Sequence, residues 1–128
     1  MVGNDYTITS PEDLRQRTKE FALRIIKLFR ALPKTEEARI LGRQVLRSGT
    51  AVAANYRSAC RARSRADFIS RIGITVEEAD ETAFWLELIV EAGIIRRSKL
   101  ESLLVEADAL VRVFQASRTT ARRAIGDL

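Results

Sequence analysis

The sequence predicts an all-α protein, an antiparallel up-down-up-down four-helix bundle, and three observations carry that prediction. Apolar residues recur at three-, four- and seven-residue spacings along the chain. Capping patterns open the helical stretches, and only two prolines and six glycines interrupt them. The connections are short, so successive helices run antiparallel. No internal repeat or long linker divides the 128 residues, which fit a single domain able to bury a core without disulfide or metal.

The first helix is expected over about 11–32. Ser10-Pro11-Glu12-Asp13 supplies an N-cap, a proline suited to the first turn and acids beside the positive dipole end. Leu14, Phe21, Ile25, Leu28 and Leu32 form its apolar stripe, and Pro33 stops it. Thr35 caps the second helix, about 36–62, which opens with Glu36 and Glu37. Ser64-Arg65-Ala66-Asp67 starts the third, about 65–92, which ends at Gly93 as a glycine C-cap. Ser98-Lys99-Leu100-Glu101 reads as a capping box for the fourth, about 99–120, with a core stripe from Leu100 to Phe114. The ends, 1–9 and 121–128, are expected to be flexible, because the apolar pattern fades after Phe114 into a basic tail.

The second helix contains the stretch RQVLRSGTAVAANYRSACRAR, residues 43–63. At 100° per residue, Leu41, Val45, Gly49, Val52, Tyr56 and Cys60 fall on one side. Arg39, Arg43 and Arg47 fall together on the other. Arg57 and Arg61 stand eighteen residues beyond Arg39 and Arg43, about five turns, and return to the same face. The small residues of SGTAVAAN therefore read as a helix interior that lets another backbone approach closely. A phosphate-cradling loop is disfavoured, since Gly49 is alone and neither a Gly-Lys-Ser/Thr sequence nor a preceding strand accompanies it.

In the third helix Phe68, Ile72, Ala79, Ala83, Leu86 and Val90 make a core stripe. Phe84, Trp85 and Leu88 project elsewhere, and Phe84 sits among acids that include Glu77 and Glu81. Aromatics on a second face suggest a subunit interface, the competing reading being a broad stripe with Trp85 at its boundary.

The net charge of +5 is unevenly spread. Residues 36–65 hold seven basic and two acidic groups, whereas residues 66–93 hold one basic and seven acidic. Histidine is absent, which excludes His-based triads, shuttles and zinc sites. The acidic cluster lacks the glycine-containing loop of a calcium site and reads as a solvated or salt-bridged face. The single cysteine, Cys60, lies on the apolar side of its helix, where a thiol is most often inert. No enzymatic activity, cofactor or metal is expected. The opening MVGNDYTITS has no secretory pattern, and no apolar run approaches the about 18–20 residues that span a bilayer, so a cytoplasmic home is expected.

The segments LRSGTAVAAN, RSRADFISR and EEADETAFWLELI resemble the four helix bundle protein family, over about residues 12–115. That family includes proteins encoded in intervening sequences of bacterial 23S rRNA genes and the accessory variability protein of diversity-generating retroelements. The resemblance implies a cytosolic bundle assembling as a ring-like homopentamer, with nucleic acid and a cognate reverse transcriptase as partners of the retroelement member and no established chemistry for the rRNA-insertion members. It brings no catalytic motif. The family's basic positions most nearly match Arg43, Arg47, Arg57, Arg61 and Arg63 here.

Two functions follow. In the first, RNA or DNA phosphates meet Arg39, Arg43, Arg47, Arg57, Arg61, Arg63 and Arg65 on a non-catalytic homo-oligomer. In the second, the arginines pair with a neighbouring subunit's acids in a structural or interaction module, with Phe84, Trp85, Leu88, Glu77 and Glu81 at the interface. The arginine face points away from its own core in either case, and its partner is expected outside the protomer.

Overall fold

A short hydroxyl side chain before a helix can accept a hydrogen bond from an otherwise unpaired first-turn amide. In the computed structural model, which describes residues 10–126, this happens at three of four helix starts. Ser10 accepts from the Asp13 amide (3.0 Å) and opens α1, Pro11–Ala31. Thr35 accepts from the Ala38 amide and opens α2, Glu36–Cys60. Ser64 accepts from the Asp67 amide (3.0 Å) and opens α3, Arg65–Glu91. At α1 the box is reciprocal, with the Ser10 amide donating to Asp13.

The fourth start differs from expectation. α4 spans Arg97–Ala124, Arg96 occupies the N-cap position, and no side chain caps it, so the Ser98 box does not form. The preceding turn explains this. Gly93 adopts φ +76°, its amide donates to Val90 O (3.0 Å), and the Ile94 amide donates to Ile89 O (3.0 Å). These are the bonds of a Schellman ending, which only a left-handed residue permits. Ile94 and Ile95 then pack on the core, and the chain enters the helix directly behind them.

The C-terminal end differs too. α4 continues to Ala124, past the helix end expected near 120, and Ala121 is buried, seven residues after buried Phe114, while residues 127 and 128 of the expected flexible end lie outside the described residues. The N-terminal residues 1–9, also expected to be flexible, lie outside the described residues.

Sequential helices pack side by side as an all-α, up-down-up-down bundle, α1 on α2, α2 on α3 and α3 on α4. The largest fully buried side chains are Phe21 and Phe114, with Ile25, Ile72, Leu86, Ile89 and Leu110 around them. The α1–α2 approach is close enough to demand glycine. A Cβ on Gly49 would stand 2.8 Å from Ile25 Cγ1 and 2.9 Å from its Cγ2, whereas one on Gly42 would meet the movable tip of Leu32, Cδ1, at 2.7 Å. Between α2 and α3 a pair of hydroxyls is buried: Thr82 Oγ1 lies 2.9 Å from Ser48 Oγ and 2.7 Å from Glu78 O. These hydroxyls satisfy one another and their own helix carbonyls, as burial requires. α1 and α4 approach less closely than the sequential pairs do, and Arg17 bridges them with two hydrogen bonds to Glu106, at 2.7 and 2.9 Å. This pairing raises the Arg17 pKa.

Candidate nucleic-acid interface

The alternation of helix direction brings four helix ends together. The start of α1, the end of α2, the start of α3 and the end of α4 share one end of the bundle. Arg57 and Arg61 arrive there from α2, Arg63 from the turn, and Arg65 and Arg71 from α3. Arg15 arrives from α1. Arginines from three helices therefore meet at this end, beside Glu12, Asp13 and Asp67, while Glu36, Glu37, Glu87 and Glu91 lie towards the opposite one with Arg30, Lys34, Arg39, Arg96, Arg97 and Lys99.

All seven arginines singled out from the sequence are exposed: Arg39, Arg43, Arg47, Arg57 and Arg61 along the outer side of α2, then Arg63 and Arg65. Six of them make no ion pair among the described residues. Arg47 is the exception, and it corrects the expectation of a partner outside the protomer. Its guanidinium lies 3.3 Å from Glu78 Oε1 and in contact with Glu81 Oε2, both on α3 of the same chain. The hydrogen bond to Glu81 is the main cause of its raised pKa.

Glu81 is correspondingly committed within its own chain. It accepts from the Trp85 indole N–H (3.0 Å) as well as from Arg47. Those two donors, the indole first, hold its carboxyl below the usual value. Trp85 is half-buried and packs on the core, with its ring 5.0 Å from Phe84 in an edge-on arrangement. Phe84 itself remains 49% exposed, Glu77 is exposed, and Leu88 is half-buried. The five residues thus divide: Phe84 and Glu77 face outward, Leu88 is half-buried, and Trp85 and Glu81 already have partners inside the chain.

Two further arginines at this end, Arg71 and Arg15, were not singled out from the sequence, and Arg118, Arg122 and Arg123 stand in the last turns of α4. Arg71 donates from Nε to Asp67 Oδ1 (2.9 Å) and from Nη1 to Ser58 of α2, tying α3 to α2. The Arg71 guanidinium, with the Arg63 amide behind it, holds the Asp67 carboxyl below its ordinary value. Arg15 is exposed and meets Arg57, Cys60 and Arg61 around a cleft of about 350 Å³. A signal for Arg15 exists in the topology, because antiparallel α1 and α2 set the first turns of one beside the last turns of the other. Cys60 is half-buried and free. Burial pushes the neighbouring Tyr56 hydroxyl well above its ordinary pKa.

A second cleft of about 350 Å³ adjoins the first through Arg15 and Cys60, with Pro11, Leu14, Phe68, Tyr56, Ser64 and Ser117 in its walls. A third, about 510 Å³, runs between α1 and α2, with Arg15, Lys19, Thr50 and Arg57 on its walls and Glu12 at one side. Among the described residues no cluster of three or more metal-ligating side chains occurs, and no helix is long and apolar enough to cross a membrane.

A solved structure from Bacteroides thetaiotaomicron, a protein of unknown function from the S23 ribosomal protein family, shares this fold. The two are 34% identical and superpose with a TM-score of 0.79, over 85% of this chain and 97% of that one. No curated protein matches the chain. Residues 12–116, from the first turn of α1 to past Phe114, match the 23S rRNA-intervening sequence protein description, and the chain belongs to that family.

Proposed function

We propose that this chain is a non-catalytic nucleic-acid-binding protein that grips phosphates with the basic end of its bundle. One observation carries the reading: Arg57, Arg61, Arg63 and Arg65 are exposed, close in the chain and without an ion pair among the described residues. Arginine suits phosphate because its planar fork donates two parallel hydrogen bonds to an anion's oxygens. Aromatic residues do not interleave with these arginines, so the binding reads charge and shape rather than bases. Arg39 and Arg43 extend the face along α2. Arg47 contributes little, since its charge is answered within the chain.

The reading includes a cytoplasmic homo-oligomer, for which the outward Phe84 and Glu77 supply a candidate contact, and a pentamer on the family resemblance. Repeating the basic end around a ring multiplies phosphate contacts without new chemistry. RNA is the first candidate ligand by the family's link to rRNA genes, DNA the second, and a reverse transcriptase is a candidate protein partner by resemblance alone.

The test is binding to single-stranded RNA, double-stranded RNA and DNA, by the wild type and by an Arg57→Glu/Arg61→Glu variant. The expected result is binding at low salt that the variant loses by at least about tenfold, roughly 1.4 kcal/mol. No binding at low salt, or binding that the variant retains, overturns the reading. Should the variant instead dissolve an oligomer seen by light scattering, the arginines pair with a neighbouring subunit's acids.

A further inference from the structure

The two adjoining clefts at the basic end differ in character. One is walled by Arg15, Arg57 and Arg61, and none of these guanidinium groups has a carboxylate partner among the described residues. Glu12 lines a neighbouring cleft and makes no ion pair with Arg15. Three like charges around one concavity repel, and the protein walls strengthen that repulsion relative to open water. An anion seated among them turns the same field into attraction. The other cleft is partly apolar, with Pro11, Leu14 and Phe68 in its walls beside the hydroxyl-bearing Ser64 and Ser117.

We infer that the joined clefts take a nucleotide phosphomonoester, its phosphate among Arg15, Arg57 and Arg61 and its nucleoside in the partly apolar neighbour. This deepens the nucleic-acid reading above and rests on it for the choice of a nucleotide. A phosphodiester within a strand carries one negative charge and two free oxygens, and its chain must leave on both sides. A phosphomonoester carries about −1.5 to −2 at neutral pH and offers three strong acceptor oxygens, a closer match to three guanidinium forks. Each cleft, at about 350 Å³, falls within the size range of small-ligand sites. The phosphomonoester belongs to a free nucleotide or to a strand terminus, and the chemistry of the arginine cleft is the same for both.

Cys60 lines both clefts and is the chain's one cysteine, so its reaction with a thiol reagent reports on this site directly. The experiment has two arms on the full chain. In the first, Cys60 labelling is timed with inorganic phosphate, a nucleoside 5′-monophosphate or the unphosphorylated nucleoside. In the second, the affinity of one short oligonucleotide is compared with a 5′-phosphate, a 3′-phosphate and neither. The expected results are Cys60 protection by the monophosphate beyond that from phosphate or nucleoside, and about tenfold tighter binding of a phosphorylated end. Arg15→Gln and Arg61→Gln should each remove that preference, while Arg96→Gln at the opposite end leaves it.

Equal affinities without protection overturn the inference, and salt-sensitive oligonucleotide binding in that case leaves the proposed function standing. Protection by the monophosphate with no oligonucleotide binding supports a free-nucleotide site and overturns the nucleic-acid reading instead. Protection by inorganic phosphate equal to that by the monophosphate overturns the nucleotide assignment.

Discussion

At the scale of single residues, Gly49 shows how one hydrogen atom sets a helix spacing. Added carbon there meets Ile25 Cγ1 and Cγ2 at 2.8 and 2.9 Å, and a β-branched side chain cannot turn both away. Gly49→Ala should therefore destabilise the bundle by about 1–2 kcal/mol, an overpacking cost of about 1–3 reduced by alanine's better helix propensity. Urea unfolding measures it, and a more stable variant would contradict the close packing. Sequence reasoning reached Gly49 because a lone glycine amid small residues in a long helix needs a compensating contact. It did not reach the pairing of Arg47 with Glu78 and Glu81. A helical wheel places that residue on an outer face, but its partners depend on how α3 is registered against α2, and one helix's periodicity carries no such information. Arg15 escaped for the same reason, its neighbours being Arg57 and Arg61 of another helix.

At the scale of helices, starts were more legible than ends. Ser10, Thr35 and Ser64 act locally, each on an amide three residues away, so the sequence suffices. Ser98 had the same local pattern and lost, because Ile94 and Ile95 dock on the core and commit the chain to helix sooner. The end of α4 was misread because its later turns are carried by Ala121 and long polar side chains such as Arg118, which lies over Gly73. The stems of arginines cover surface that an apolar pattern does not register.

The α2–α3 pair also carries a pH signature. Asp67 is held low first by Arg71, and Glu81 first by Trp85 and then by Arg47. Both carboxyls release protons more readily folded than unfolded. Their stabilisation is thus fully present above the ordinary carboxylate value, about 4, and is lost as pH falls through the lowered folded values. Thermal unfolding should shift to lower temperature between about pH 5 and pH 2, and Asp67→Asn with Glu81→Gln should flatten that slope. An unchanged slope in the double variant would contradict the assignment.

At the scale of the molecule, fold and charge come from one arrangement. Alternating helix direction brings Arg15 of α1, Arg57 and Arg61 at the end of α2, Arg63 of the turn and Arg65 at the start of α3 to one end, and leaves the glutamates of α2's start and α3's end at the other. The sequence showed the basic segment 36–65 beside the acidic segment 66–93, but not that the antiparallel hairpin partly pairs them. Where α2 passes Glu78 and Glu81, Arg47 is paired; Arg57, Arg61, Arg63 and Arg65 make no ion pair among the described residues. The central claim is that these remaining arginines meet phosphate. Its most direct test is the dependence of single-stranded RNA affinity on salt, for the wild type and for Arg57→Gln/Arg61→Gln. Each arginine that displaces counterions contributes about 0.7 to the slope of log affinity against log salt. The double variant should therefore lose about 1.4 of that slope, and an identical slope in both proteins would contradict the claim.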